Sequence, residues 1–546
     1  MKNTTKFYWV IALIAVLFTA IVINHSFARG RLQYEIDYED VITFLDGLKR
    51  YRGLVDQPQG HLQFVYQYVT DPPHAPLHSL QAMLSFAVFG IHDWAPYVSN
   101  AVLLFALLAG IFYVLRDFGV LSFAAGALFF LCTPLAYHTI EEFRPDYPSS
   151  IATVWGILLY FQFLRTSNPW LAGWAGACYG LAMLAKPPVF PYVLAMGGGP
   201  FFLGLYLGFR TNGLRGVWKG ALGAWSFFAG CALVAGPHFL VAARKIIDYF
   251  ILNQLGADSH LWAFNEGWGQ RIAYHVTGYG GWLGLGRHWI LALLLLGCAL
   301  AAGLKFARTD KSARILLGLS GMTAWAYFFL VINPHMNPFF GLTFQILLLF
   351  SGAAFLGWLV GQGKGLWKRF VFGGVILAIL GKAFLLAFFL PIRKIEFTFG
   401  PERHREFLRT ANRDVMGILD QHRDAGEGRY CLVSTYGAVS SHTLQWISDK
   451  GERGFRFFGV TYEPIEKVRE MFDANKGSAR VDFAVVSEPG ILGVHEFLPN
   501  AKTSGPLLEY LSANPEYVKI GRVSDPEGKA YVVFSRKPRL GHEGAP

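Results

Sequence analysis

The sequence predicts an α-helical polytopic membrane protein that carries a C-terminal extracytoplasmic α/β domain. Of its 546 residues, 53% are hydrophobic and only 16% are charged, which is more apolar than a soluble protein of average composition. About 11 apolar stretches are long enough to cross a bilayer. From about residue 393 the composition changes to that of a soluble domain. We therefore divide the chain into a membrane domain, 1–392, with a first outer loop at about 25–94, and an α/β domain, 393–546.

The first apolar segment follows Lys2 and Lys6 and runs from Phe7 to Ile23. It is longer than the apolar region of a typical signal peptide, and no clear small-residue cleavage site follows it, so we interpret it as a retained helix. The other predicted spans are Ala95–Leu115, Leu121–Tyr137, Pro148–Leu164, Trp170–Ala185, Val189–Phe209, Val217–Val241, Trp289–Phe306, Ile315–Ile332, Phe339–Val360 and Phe370–Leu390.

The distribution of basic residues predicts the orientation. With a cytoplasmic N-terminus, the inner connections are rich in Lys and Arg, whereas the outer loop 333–338 has none. An odd number of spans then places the C-terminal domain outside. The net charge of +11 is explained by these flanking residues, which meet membrane lipids, and not by nucleic-acid binding.

Two segments of the first outer loop have the pattern of helices that lie on the membrane surface. In Val41–Leu54, apolar residues recur at helical spacing. Pro76–Gly90 has an apolar core of only about 13 residues, interrupted by polar side chains, which is too short to span. Two surface helices are therefore expected to flank the loop.

The C-terminal domain alternates helix and strand, which predicts a small layered α/β fold. Asp525–Gly528 is a good turn between the last two strands. The predicted helices are 405–422, 439–450, 464–475 and 507–514, and the predicted strands are 429–435, 455–460, 481–486, 517–523 and 530–535.

Two acidic clusters emerge on the predicted outer face. Asp37, Glu39 and Asp40 follow the first helix, and Glu142 and Asp146 lie between two later spans. Carboxylates at the mouth of a membrane are costly without a task or a partner, so we expect a reaction site there. One carboxylate can act as a general base, but the residues leave Asp37, Glu39 and Asp40 as alternatives for that role.

Basic and histidine residues on the same face are candidates for substrate binding. Arg144, and with it Lys186 or Arg244, can hold a phosphate through charge-assisted hydrogen bonds. His74, His78 and His335 complete the candidates. His74 and His78 have metal-ligand spacing but no third partner, and the five cysteines form no ligand-spaced cluster. No metal site or cofactor is predicted, and a divalent-metal requirement is left open.

Four short motifs on the predicted outer face stand out together. They are Asp37–Asp40, His74–Leu77, Arg144–Asp146 and Gly180–Pro187. In this order they resemble the GT-C superfamily of membrane glycosyltransferases, closest to its protein O-mannosyltransferase and lipid A aminoarabinose transferase branch. The chain departs from that family where His-Ala-Pro-Leu replaces the usual His-Pro-Pro-Leu. The usual Asp-Glu pair matches either Asp37 with Glu39 or Glu39 with Asp40.

The resemblance implies an inverting transferase of the bacterial inner membrane. It implies a polyprenyl-phosphate-linked sugar donor and an envelope glycan, lipid or protein as acceptor on the periplasmic face. It also implies a catalytic role for the first outer loop. A polyprenyl-diphosphate oligosaccharide ligase or polymerase is the alternative enzyme. A transporter, or a scaffold built on the outer domain, is the alternative outside enzymes; a transporter would place charges near the bilayer midplane.

Overall fold

The computed structural model groups the chain into two compact units. The membrane unit contains Met1–Ile23 and Lys49–Pro391, and the C-terminal unit contains Asn24–Leu48 and Ile392–Pro546. The predicted boundary at 392/393 lies one residue from the second break, but residues 24–48, expected in the first domain, group with the C-terminal unit. The structure describes residues 4–33, 38–56, 76–254, 256, 259, 267–333, 338–362, a few positions between 373 and 381, 402–422, 430–435, 437–460, 463–473, 481–492 and 499–537.

Among the described residues up to 362, all regular secondary structure is helical. The two segments predicted to be surface helices are helical, as α2 and α3; their position at the membrane surface stays a prediction. The helices are α1 Thr4–Arg29, α2 Tyr38–Asp56, α3 Pro76–Phe89, α4 Ala95–Ser99, α5 Ala101–Leu115, α6 Val120–Leu131, α7 Pro134–Glu141, α8 Asp146–Thr166, α9 Pro169–Ala185, α10 Phe190–Gln254, α11 Trp268–Tyr274, α12 Tyr279–Gly284, α13 Trp289–Phe306, α14 Lys311–Ile332 and α15 Leu342–Gln362.

Among the described residues, six helices are long and apolar enough to span a membrane, and a seventh span arises if α6 and α7, bent by 67°, are counted together. The prediction of a polytopic helical protein is confirmed. The number of described helices that are long and apolar enough to span is lower than the predicted number of about 11. The predicted span Trp170–Ala185 is the 17-residue α9, which rises only about 25 Å. The window Phe370–Leu390 lies almost wholly outside the described residues.

Segment α10 contains two of the predicted spans, and it folds back on itself. The rings of Phe190 and Phe250 lie 5.8 Å apart, and those of Phe201 and Phe228 lie 6.5 Å apart. Residues sixty positions apart cannot meet in a straight helix, which rises about 1.5 Å per residue. The two halves of α10 therefore form a hairpin, as two successive spans would.

Helix α9 packs closely on this hairpin because glycines line the contact. A Cβ atom at Gly176 would lie 1.8 Å from the carbonyl oxygen of Phe227, and one at Gly180 would lie 2.8 Å from Cβ of Val234. Small residues let helix backbones approach each other in membranes. Gly180 therefore fixes the position of the α9 C-terminus, which ends at Ala185, one residue before Lys186.

Helix α15 is the buried centre of the membrane unit. Every residue from Leu342 to Trp358 is buried, and the helix packs against α6, α8, α13 and α14. A short 3-10 turn, Pro338–Gly341, precedes it. Thr343 donates a hydrogen bond to Ser150 of α8, 3.0 Å away, so this turn is held beside the N-terminal end of α8.

The C-terminal unit contains a five-stranded sheet with strand order β2-β1-β3-β5-β4. Strands β1 to β3 are parallel, and β5 is antiparallel to β3 and β4. The predicted alternation and both final strands are found within a few residues, except that the last helix begins at Pro499, eight residues before its predicted start. The elements are α16 Glu402–Gln421, β1 Tyr430–Val433, α17 Ser441–Lys450, β2 Arg456–Gly459, α18 Ile465–Asp473, β3 Phe483–Ser487, α19 Pro499–Ala513, β4 Tyr517–Ser524 and β5 Ala530–Arg536.

Both faces of this sheet are covered. Strand β3 is buried throughout, and alternate residues of β1 enter two separate apolar clusters, one containing Val433 and the other Leu432. This is the pattern expected for strands between two helical layers. The predicted turn is also present: Asp525 Oδ1 accepts hydrogen bonds from the backbone amides of Glu527 and Lys529, both 2.9 Å away.

Candidate functional site

The first acidic cluster lies partly in the first part of α2, whose residues 38–48 belong to the C-terminal unit. Asp37 is outside the described residues. Glu39 is half-buried in the first turn of α2, whereas Asp40 is fully buried and accepts a 2.8 Å hydrogen bond from Arg31 in a buried ion pair. Protonating a carboxylate in such a pair would leave the arginine charge uncompensated. Asp40 is thus poorly suited to accept a proton.

His78 lies at the start of α3 and is fully buried. Its ring stacks on Phe143 with centroids 3.9 Å apart, and its Nδ1 lies 3.2 Å from Gln81 Oε1. Burial lowers the pKa of His78 to about 4, because the imidazolium would lose its hydration. The neutral ring packs against the loop after α7 and holds α3 to it. His74 lies outside the described residues.

A short chain of amides continues from His78 to the loop after α7. Gln81 Nε2 donates to Asn100 Oδ1 at 3.1 Å. Asn100 Nδ2 donates to the carbonyl oxygens of Ile140 and Glu142, each 3.0 Å away. Since Asn100 is fully buried, these bonds satisfy carbonyls that would otherwise be costly to bury. The backbone that carries the second acidic cluster is therefore held in place by hydrogen bonds from a buried side-chain amide.

Glu142 and Arg144 belong to a buried network of charged groups. His138 Nδ1 lies 2.8 Å from Glu141 Oε1 and 3.6 Å from Glu142 Oε1, and Arg144 Nε lies 3.5 Å from Glu142 Oε2. The histidine and the two glutamates recur at helical i,i+3 and i,i+4 spacing. The Arg144 guanidinium also lies 4.0 Å above the ring of Phe339. This stacking fixes the plane of the guanidinium.

Asp146, at the end of the loop after α7, meets Lys186 from the connection after α9. Asp146 begins α8, where a helix N-terminus favours a negative charge, and Lys186 caps α9. Lys186 Nζ lies 2.5 Å from Asp146 Oδ1 and 5.2 Å from the ring centre of Phe340. The lysine side chain is 22% exposed and the aspartate 8%. An ammonium has three donors, so Asp146 orients Lys186 without using all of them.

The remaining candidates are not brought to this cluster by the described contacts. Arg244 lies on α10 with its side chain 95% exposed, and it pairs with Asp248 at 3.8 Å. His335 is outside the described residues. Their proposed roles in substrate binding remain predictions.

Sequence reasoning missed the residues that support the cluster. His138, Gln81 and Asn100 lie in largely apolar surroundings and were not singled out. The signal available for His138 was its helical spacing to Glu141 and Glu142. Within the described part of the chain, no group of three or more His, Cys, Asp or Glu residues is arranged to hold a metal ion.

The comparisons with known proteins agree with this architecture. The family model of dolichyl-phosphate-mannose-protein mannosyltransferases matches residues 73–233. The structure is similar to ArnT from Cupriavidus metallidurans, solved bound to undecaprenyl phosphate, at 13% identity and a TM-score of 0.58, covering 97% of this chain and 98% of that one. The predicted GT-C resemblance is confirmed. No curated protein matches the sequence.

A second ArnT structure, without ligand, has the same 13% identity and a TM-score of 0.59 over 98% of this chain and 99% of that one. The oligosaccharyltransferase of Archaeoglobus fulgidus, solved in complex with Zn and sulfate, has 13% identity and a TM-score of 0.50 over 95% of this chain and 72% of that one. These likenesses describe the GT-C fold. The family match contains His74–Leu77, Arg144–Asp146 and Gly180–Pro187 but not the first acidic cluster.

Proposed function

We propose that the chain is an inverting glycosyltransferase that moves a sugar from a polyprenyl-phosphate carrier to a cell-envelope acceptor on the periplasmic face of the bacterial inner membrane. The observation that carries this proposal is the convergence of Arg144, Asp146 and Lys186 in one loop region of the membrane unit. Two cations near apolar helices suit a phosphate attached to a lipid chain.

Lys186 and Arg144 would hold the phosphate of the donor. Lys186, oriented by Asp146, presents its further N–H donors, and Arg144 contributes a second positive charge beside Glu142. As the bond between the anomeric carbon and the phosphate oxygen breaks, the released polyprenyl phosphate gains negative charge. Cationic groups placed beforehand stabilise this charge in the transition state. Such a donor also fits the undecaprenyl phosphate bound in the structure of the similar ArnT.

The first acidic cluster would supply the general base. An acceptor hydroxyl attacks the anomeric carbon, a new C–O bond forms, and the hydroxyl proton passes to a carboxylate. Because Asp40 is engaged by Arg31, we assign the base to Glu39 or Asp37. Attack opposite the leaving phosphate inverts the configuration of the anomeric carbon.

The test supplies membranes containing the protein with labelled polyprenyl-phosphate sugars and, separately, a labelled polyprenyl-diphosphate oligosaccharide. The second donor covers the ligase alternative, which the likeness to the archaeal oligosaccharyltransferase favours. Wild type is compared with Asp37→Asn, Glu39→Gln and Asp40→Asn, and Asp46→Asn on the same helix is the matched control.

We expect transfer from the monophosphate donor, with a loss of about 100-fold or more for the variant that lacks the base. Asp40→Asn acts through the Arg31 pair and lowers the rate less. Normal transfer by all three variants, in protein that still inserts, would show that the acidic cluster is not the site. Transfer from the diphosphate donor alone would favour the ligase.

A further inference from the structure

Helix α17 of the C-terminal unit is buried on two opposite sides. Leu444 enters the apolar cluster on one face of the sheet. Trp446 follows two residues later, about 200° around the helix, yet it is only 1% exposed. In an isolated layered domain this outer side would face solvent.

The ring that meets Trp446 belongs to α2. The ring centroids of Phe44 and Trp446 lie 5.4 Å apart at 65°, an edge-to-face contact. Phe44 shares a buried stripe of α2 with Val41 and Leu48, at helical spacing. Residues 24–48 as a whole group with the C-terminal unit, so this contact is part of one compact body.

The contact lies one turn after the acidic residues. Asp40 and Phe44 are four residues apart on the same side of α2. On the other side in sequence, Arg31 pairs with Asp40, and the backbone amide of Leu32 donates to Ser26 Oγ at 3.1 Å. The first turn of α2, which carries Glu39, is therefore held by two contacts. The Arg31–Asp40 ion pair comes from the chain before it, and the Phe44–Trp446 contact lies one turn after it.

We propose that Trp446 is a positioning residue that fixes the first turn of α2, and that holding this turn is a task of the C-terminal unit. The inference rests on the proposed function, in which this turn carries or adjoins the general base. A base misplaced by about 1 Å can cost about 100-fold in rate. Trp446 touches no substrate in this account and acts only through Phe44.

The experiment is a double-mutant cycle on the transfer reaction in membranes. Trp446→Ala and Phe44→Ala are each expected to lower kcat at least tenfold, with the KM for the polyprenyl-phosphate donor changed less than twofold. The double variant should be no slower than the slower single variant, because both substitutions remove the same contact between Phe44 and Trp446. Trp446→Phe keeps an aromatic ring in place and should recover most of the rate.

Phe472→Ala is the matched control for lost packing. Phe472 is 2% exposed in the apolar cluster on the other face of the sheet, so its removal destabilises the same unit without touching α2. It should lower the thermal midpoint but leave kcat within twofold. Equal losses of kcat in Phe472→Ala and Trp446→Ala, or an unchanged kcat in folded Trp446→Ala, would overturn the proposal.

A second readout does not depend on transfer. Thr43 is buried beside Phe44, so a Thr43→Cys probe, in a Cys298→Ser background, should react slowly with a maleimide. Adding Trp446→Ala should raise the labelling rate at least tenfold, and adding Phe472→Ala should not. If no donor supports transfer in wild type but this labelling pattern appears, the proposed function is wrong, whereas the positioning role of Trp446 is supported. If Trp446→Ala leaves the labelling rate of Thr43→Cys unchanged, the positioning role of Trp446 is wrong.

Discussion

The ammonium of Lys186 lies 2.5 Å from a carboxylate oxygen of Asp146, forty residues earlier in the chain. The contact closes the α8–α9 hairpin at its open end, because α8 begins at Asp146 and α9 ends beside Lys186. The aspartate is more deeply buried than the lysine. The two partners are therefore not equivalent.

Removing the lysine should cost more stability than removing the aspartate charge. Lys186→Met leaves a buried carboxylate without its cation, which costs about 3 kcal/mol, whereas Asp146→Asn leaves a lysine that can reach water and costs about 1 kcal/mol. The double variant should be more stable than Lys186→Met. Thermal midpoints of the purified variants in detergent measure these differences.

Arg244→Gln is the control for this comparison. It removes an ion pair whose side chains are 95% and 69% exposed, and exposed pairs contribute little. Its midpoint should equal that of wild type. A Lys186→Met midpoint equal to that of Asp146→Asn would refute the asymmetry.

Substitution of Asn100 should be costly because its side-chain amide is fully buried and hydrogen-bonded. Asn100→Ala removes both donors to the carbonyls of Ile140 and Glu142, at an expected cost of about 2–3 kcal/mol. Asn168→Ala is the matched substitution, since Asn168 is an exposed cap that accepts from the Trp170 amide and should cost about 1 kcal/mol. A smaller midpoint loss for Asn100→Ala than for Asn168→Ala would contradict the network.

The burial of His78 predicts that the protein loses stability in mild acid. The folded pKa of His78, about 4, lies below the ordinary value of 6.5, so the unfolded chain binds more protons between these values. The contribution of neutral His78 to the free energy of unfolding is therefore full above about pH 6.5. It falls as the pH drops toward 4 and does not change further below that. The loss from this residue is roughly 3 kcal/mol.

His78→Phe keeps a ring against Phe143 and removes the titration. The drop in thermal midpoint between pH 7.5 and 4.5 should be smaller in this variant than in wild type. It should not vanish, because burial also lowers the pKa of His275 to about 4. His92→Phe, an exposed histidine, should leave the drop unchanged. An identical pH dependence in wild type and His78→Phe would exclude His78 as its source.

The two units also predict a labelling result. Residues 24–48 and 392–546 form one compact body, and a membrane cannot separate parts of one packed core. Asp46→Cys and Gly451→Cys should therefore react with an impermeant maleimide from the same side, which the charge pattern predicts to be the periplasm. Labelling from opposite sides would overturn both the orientation and the grouping.

The local elements of this chain were predictable, and the long-range pairings were not. Helices α2 and α3 and the strands of the sheet follow from apolar spacing and turn residues, which act over a few residues. Asp146 and Lys186 were predicted to be site residues separately. Their ion pair depends on the close packing of α9 at Gly176 and Gly180, which periodicity does not encode.

The supporting polar residues escaped prediction for a different reason. Asn100 bonds to two backbone carbonyls and to Gln81, and Gln81 also bonds to Ser99 and His78, so no spacing of charged residues marks them. The acidic cluster was found from its composition. The distinction between Asp40, which is paired with Arg31, and Glu39, which stays half-exposed, required the structure.

The central claim is that Lys186 helps to hold the phosphate of a polyprenyl-phosphate sugar. It is tested most directly by the rate of transfer from a labelled donor as a function of donor concentration, in wild type, Lys186→Met and Lys186→Arg. Lys245→Met, an exposed lysine of α10, is the control. We expect saturable transfer in wild type and Lys245→Met, at least a tenfold loss of kcat/KM in Lys186→Met, and partial recovery in Lys186→Arg. Equal kcat/KM values in wild type and folded Lys186→Met would contradict it.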